Sequence, residues 1–147
     1  MTDEDTSLTA LIIDDEPHNI LWLSDYLEDG GFTVTMKTDV NQGVDELQNN
    51  SHRISIIDLN IPVFPPLSAD VASKGDLYSK YPGLYAAWRA RNSGYRNRQV
   101  VVYTVHRDPE IAAEAERLRC TYIMKGRPKM LKEEIESILS YDPTKKS

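Results

Sequence analysis

Hydrophobic positions along the chain follow two alternating periods. Five short runs rich in Ile, Val and Thr read as β-strands: Leu8–Asp14, Phe32–Lys37, Ile54–Asp58, Gln99–Thr104 and Thr121–Met124. The first, third and fourth are nearly continuous apolar runs, as expected of strands buried on both faces. Between the runs the spacing turns helical. Pro17 suits the opening turn of a helix, and Ile20, Leu23 and Leu27 share a face until Gly30 and Gly31 stop it. A second helix follows Asp39, with Val40, Val44 and Leu47 in register. A third is predicted from about Gly83 to Asn92, with Leu84 and Trp88 on one side. Asp108 and Pro109 supply a cap and a first-turn proline for a fourth, whose Ile111, Ala115 and Leu118 face inward. The fifth begins near Pro128 and carries Leu131, Ile135 and Ile138.

Strand followed by helix, five times over, predicts an α/β domain with a parallel sheet covered on both faces. Right-handed crossovers leave few topologies, and the flavodoxin-like, doubly wound order 2-1-3-4-5 with five helices is the expected one. A single domain over 1–147 is predicted, with its core at about 8–141 and short polar tails. One stretch breaks the rhythm. Val63–Pro82 holds three prolines and no clean period, so this insertion reads as a functional loop or a flexible one.

Composition narrows the class. At 147 residues and 40% hydrophobic, the chain can bury a core without staples. No apolar run approaches the length of a membrane span, and the polar, acidic start lacks a secretory pattern. Cys120 is the sole cysteine, which excludes an intrachain disulfide and agrees with a cytoplasmic setting. A net charge of −6 argues against nucleic-acid binding as the main task. The charge is unevenly spread: residues 1–30 hold nine acids and no Lys or Arg, whereas residues 71–129 hold twelve bases and five acids.

Candidate chemistry lies where the predicted strands end, because ligands of open α/β sheets bind at the carboxyl edge where the strand order reverses. Asp14 and Asp15 end strand 1, Asp58 ends strand 3, Thr104 ends strand 4 and Lys125 follows strand 5. Clustered carboxylates raise one another's pKa and call for a counter-charge. A hard cation such as Mg2+ supplies it. One carboxylate can then act as a nucleophile toward phosphorus, with the ammonium and hydroxyl stabilising the transferred group.

These strand ends resemble those of response-regulator receiver domains, the phospho-accepting half of two-component signalling. The matching residues are Asp14-Asp15-Glu16-Pro17, Asp58-Leu59-Asn60-Ile61-Pro62, Thr104 after Val100-Val101-Val102-Tyr103, and Lys125 after Tyr122-Ile123-Met124. The resemblance implies that Asp58 accepts a phosphoryl group and that Mg2+ is held by Asp14, Asp15, Asp58 and the carbonyl of Asn60. It implies that Lys125 pairs with Asp58 and then with the phosphoryl group. Thr104 and Tyr122 take the switch positions, biasing a surface of the fourth helix, fifth strand and fifth helix that can also form a homodimer. The implied partners are a histidine kinase or phosphotransfer protein and a downstream protein target, with no nucleic acid and no membrane. The implied role is a stand-alone signalling phospho-acceptor rather than an enzyme, since the sequence ends shortly after the fifth helix.

The sequence also departs from the family. Gly126-Arg127-Pro128 follows Lys125 where the family has proline directly. Val105 stands where a small residue is usual, which predicts a slowly lost phosphoryl group, and His106 takes the next, modulating position. These departures and the insertion motivate a second reading, a receiver-shaped interaction module that works without phosphorylation. A metal-dependent phosphatase is disfavoured because its Asp-x-Asp arrangement is missing. Tyr78, Tyr81, Tyr85, Tyr95, Trp88, Arg89, Arg91, Arg96 and Arg98 bring interface-type residues together, so a partner-docking surface is weighed against a tolerated insertion. His18, His52 and His106 lack metal-ligand spacing and read as surface residues. Cys120 reads as a small buried hydrophobe.

Overall fold

A computed structural model describes residues 8–95 and 99–140, so the polar tails, Arg96 and Arg98 lie outside the described residues, as does the side chain of Ile138. The five apolar runs form β1 (Thr9–Ile13), β2 (Thr33–Lys37), β3 (Ile54–Ile57), β4 (Val100–Thr104) and β5 (Thr121–Met124). They pair in parallel in the order β2-β1-β3-β4-β5, as the alternation predicts. Successive side chains alternate between two cores. Leu11, Ile13, Ile57, Val100 and Val102 face one, whereas Ala10, Ile12, Ile56, Val101 and Tyr103 face the other.

Helices cover both faces. A 3-10 turn, Pro17–Ile20, leads into α1 (Leu21–Asp29), which buries Leu23 and Leu27. The helix α2 (Val40–Asn49) is capped by Asp39, whose carboxylate accepts from Gln42 N–H at 2.7 Å.

The predicted five helices become seven among the described residues, because the insertion is not a loop. It folds as α3 (Leu67–Ser73) and α4 (Asp76–Lys80), hinged at Gly75, where φ is 111°. Helices of seven and five residues are too short to display a period, which is why the pattern reads as irregular. Single anchors hold them: Val71, Tyr78 and Tyr81 are buried in the first core. Lys74 Nζ lies 3.9 Å from the Trp88 ring centroid, and the Tyr78 hydroxyl donates to Glu114.

The chain continues through α5 (Gly83–Asn92), α6 (Pro109–Leu118) and α7 (Pro128–Ser140). Asp108 caps α6, accepting from Glu110 N–H at 2.9 Å. Leu131 and Ile135 of α7 join Leu23 and Leu27 of α1 in the second core.

The four tyrosines of the aromatic cluster belong to the core, whereas Trp88, Arg89 and Arg91 are partly exposed. Tyr78, Tyr81, Tyr85 and Tyr95 are all buried. Their hydroxyls reach Glu114, Asp108 and backbone or accept from Arg89, so amphipathic residues satisfy their polar ends while burying their rings. His52 is also buried, against the expectation of a surface residue. Its Nε2 lies 2.8 Å from Glu46, and Gln99 donates to its carbonyl. Cys120 is partly buried and packs against the first core, in line with its reading as a hydrophobe.

Candidate functional site

Register brings the strand ends together. Ile13 pairs with Ile57, and one residue later Asp58 N–H donates to the Ile13 carbonyl at 2.9 Å. Asp14 N–H likewise donates to Lys37 at 2.9 Å. Both carboxylates therefore leave neighbouring strands at the same edge. Asp15 follows in a bend where Glu16 N–H donates to Asp14 Oδ1 at 2.8 Å, turning the chain toward α1. Asp14, Asp15 and Asp58 each offer a carboxylate oxygen, all within 4.8 Å of one another.

Lys125 reaches this cluster from β5. Its N–H donates to the Thr104 carbonyl at 2.7 Å, which extends the β4–β5 ladder by one step before Gly126 turns away at φ 91°. Its ammonium lies 2.9 Å from Asp14 Oδ2 and 3.4 Å from Asp58 Oδ2. The tighter partner is thus Asp14, where the resemblance implies Asp58. Asp14 is the more deeply buried carboxylate and keeps its second oxygen on Glu16 N–H, so it presents a fixed acceptor.

The electrostatics follow from burial. Asp58 is pushed above the ordinary carboxylate range by burial; Lys125 counteracts this and Asp14 adds to it. Asp15 stands at the cleft mouth and is also raised, by partial burial first and then by Asp14 and Glu16. Burial opposes charge on Lys125, but its hydrogen bond to Asp14 and the attraction of Asp58 outweigh it and raise its pKa. The ammonium therefore offsets only part of the negative charge. The remaining donor set is all oxygen and acidic, which fits a hard divalent cation such as Mg2+.

A cleft of about 420 Å³ opens over the cluster, lined among others by Asp15, Asp58, Asn60, Val105, His106 and Lys125. Ile20, Trp22 and Tyr103 also line this cleft; the helical period marks Ile20 only as core, and no motif marks Trp22 or Tyr103 as a site residue. Phe64 from the insertion and Val105 are exposed apolar residues.

Two predicted residues stand apart from the carboxylates. Thr104 is fully buried, and its hydroxyl accepts from His106 N–H at 3.0 Å. Tyr122 donates to the His106 carbonyl at 2.8 Å. His106 sits between them, its ring 5.1 Å from that of Tyr81 at the end of the insertion. His106 thus joins Thr104 and Tyr122 through its backbone and the insertion through its ring.

Gly83 fixes the acceptor strand from below. Its N–H donates to the Leu59 carbonyl at 2.9 Å, drawing the start of α5 directly onto the chain at Asp58. A Cβ there would lie 2.2 Å from the Asp58 carbonyl oxygen and 2.6 Å from Leu59 Cα. Only glycine permits this approach.

No protein-family model matches the sequence, and no curated protein matches it. Solved structures do. A CheY-like receiver-domain protein from Methanospirillum hungatei superposes with a TM-score of 0.70 at 19% identity, covering 91% of this chain and 94% of that one. A two-component response regulator from Clostridium difficile gives 0.69 at 16% identity, covering 90% and 96%. A response regulator from Thermotoga maritima, solved in complex with Mg2+ and BeF, gives 0.65 at 16% identity, covering 88% and 97%. The chain therefore has the fold of CheY-like response-regulator receiver domains.

Proposed function

We propose that this chain is a response-regulator receiver whose Asp58 accepts a phosphoryl group from a phosphohistidine donor, either a histidine kinase or a phosphotransfer protein. The observation that carries this reading is the meeting of the Asp14, Asp15 and Asp58 carboxylates with the Lys125 ammonium, beside an open cleft that Asp15, Asp58 and Lys125 line. Asp14, Asp15, Asp58 and the Asn60 carbonyl are the groups that would hold Mg2+. The ion would neutralise the acidic cluster and the charge on the transferred group.

Asp58 needs its ionised oxygen as nucleophile. That oxygen forms a bond to phosphorus while the phosphorus–nitrogen bond of the donor imidazole breaks, and the imidazole leaves with the electron pair. Lys125 is already placed between Asp14 and Asp58, so a small movement takes its ammonium to a phosphoryl oxygen. Thr104 must exchange its His106 N–H contact to reach the same group. That exchange loosens the loop whose carbonyl holds Tyr122, which biases α6, β5 and α7 toward a second arrangement. A downstream protein or a second copy of the chain would read that face. No helix among the described residues is long and apolar enough to cross a membrane, and the reading places the chain in the cytoplasm.

Labelling with acetyl phosphate and Mg2+ tests the proposal. Asp58 takes up one phosphoryl group and Asp58→Asn takes up none; absence of label on the wild type, or equal label on the variant, refutes it. Val105 is 63% exposed and lines the cleft, where it screens the phosphoryl group from water. Val105→Ala accordingly shortens the phosphoryl lifetime. The Thr104 hydroxyl, engaged on its own loop, favours one other reading: an interaction module that acts unphosphorylated. Normal signalling by Asp58→Ala would support that alternative.

A further inference from the structure

The next-to-last residue of β4 is an aromatic whose surroundings are not those of an ordinary core side chain. Tyr103 is 3% exposed, on the sheet face covered by α1 and α7. It nevertheless lines the acidic cleft. The Lys125 ammonium lies over its ring, 5.7 Å from the centroid. Its phenol has no hydrogen-bond partner among the described residues.

Sheet order explains the ring. Lys125 leaves β5, whereas its carboxylate partners leave β1 and β3, so its side chain must cross the end of β4. Tyr103 is the side chain it crosses. An aromatic face attracts a partly desolvated ammonium without competing for its hydrogen bonds. The hydroxyl poses a separate question, because it is not sealed in the core and no described group accepts its proton. A phenol is protonated at neutral pH in any setting, and burial raises its pKa further, Lys125 opposing this and Asp14 adding to it. It therefore presents a proton to the cleft. A neutral donor beside an ammonium suits an oxyanion.

We infer that Tyr103 positions Lys125 through its ring and donates a hydrogen bond through its phenol to an oxyanion bound in the cleft. The identity of that oxyanion as a phosphoryl group rests on the phospho-acceptor reading; the placement of Lys125 does not.

Tyr103→Phe removes the hydroxyl alone, and Tyr103→Leu removes the ring as well. Acylation of Lys125 by an amine-reactive ester, followed by mass spectrometry against Lys129, reads its placement. Tyr103→Phe should match the wild type, and Tyr103→Leu should react about fivefold faster. Equal rates in Tyr103→Leu and the wild type overturn the role of the ring. Beryllofluoride binding in saturating Mg2+, followed by tryptophan fluorescence, reads the hydroxyl. Tyr103→Phe should bind the anion about tenfold more weakly, with unchanged Mg2+ affinity. Unchanged anion affinity overturns the hydroxyl's role, and a parallel loss of Mg2+ affinity marks a merely structural residue. If the wild type binds no beryllofluoride, the phospho-acceptor reading falls with the oxyanion, and the acylation rates alone decide the ring.

Discussion

Replacing Gly83 by alanine tests how the fold holds its acceptor carboxylate. On propensity alone the change should help, because alanine in a helix is favoured over glycine by up to about 1 kcal/mol. The tertiary contact reverses that sign. The added methyl would stand 2.2 Å from the Asp58 carbonyl oxygen and 2.6 Å from Leu59 Cα, whereas ordinary contact is 3.4–4 Å. Both obstacles are backbone, which cannot swing aside as a side-chain end can. The start of α5 and the Asp58 segment must therefore separate by about 1 Å, straining the Gly83–Leu59 hydrogen bond. Overpacking of this kind costs about 1–3 kcal/mol, larger than the propensity gain. At this chain length that corresponds to a fall of about 3–10 °C in Tm. A 1 Å displacement of a reacting group can also slow chemistry by about 100-fold, so acetyl-phosphate labelling of Asp58 should drop far more than stability does. Thermal denaturation and labelling of the same preparation read both effects. A Gly83→Ala protein at least as stable as the wild type, with the same labelling rate, would show that the approach of α5 to Asp58 is not tight.

Three further expectations follow from the electrostatics. Asp58 has its pKa raised by burial, so its ionised form disfavours the fold: the penalty is absent below the unfolded value of about 3.8 and complete above the higher folded value. Asp58→Asn should therefore raise Tm at neutral pH in EDTA, Lys125 keeping its Asp14 partner at 2.9 Å; a lowered Tm contradicts this. Tyr78→Phe should lose about 1.5–3 kcal/mol at neutral pH, because the hydroxyl donates to a charged acceptor, Glu114. Glu114 is held below the ordinary range by Arg117, against burial and with help from Tyr78, so this contribution is present above about 4.5 and fades as pH falls through the lower folded value. Urea titrations in which the wild type and Tyr78→Phe differ equally at acid and neutral pH would refute it. Burial pushes the Cys120 thiol up to about 12, so a disulfide reagent near pH 8 should react at least about tenfold more slowly with it than with the urea-unfolded chain, and equal rates would contradict its burial.

The sequence by itself determined the parallel sheet, its strand order and the five principal helices. These rest on local periodicity, caps such as Asp39 and Asp108, and general rules of chain handedness. It also placed Asp14, Asp15, Asp58 and Lys125 at one edge, because a parallel sheet puts every carboxyl end on the same side. Tertiary structure alone decided the rest. Periodicity describes one element at a time and cannot say which side chains meet across elements. So the two short helices of the insertion, held by Tyr78 on Glu114 and Lys74 on Trp88, were illegible in the pattern. So were the burial of His52 on Glu46, the preference of Lys125 for Asp14, and the presence of Trp22 and Tyr103 in the cleft wall. Each depends on packing between segments far apart in the chain, where burial and the competition among neighbouring charges choose the partner.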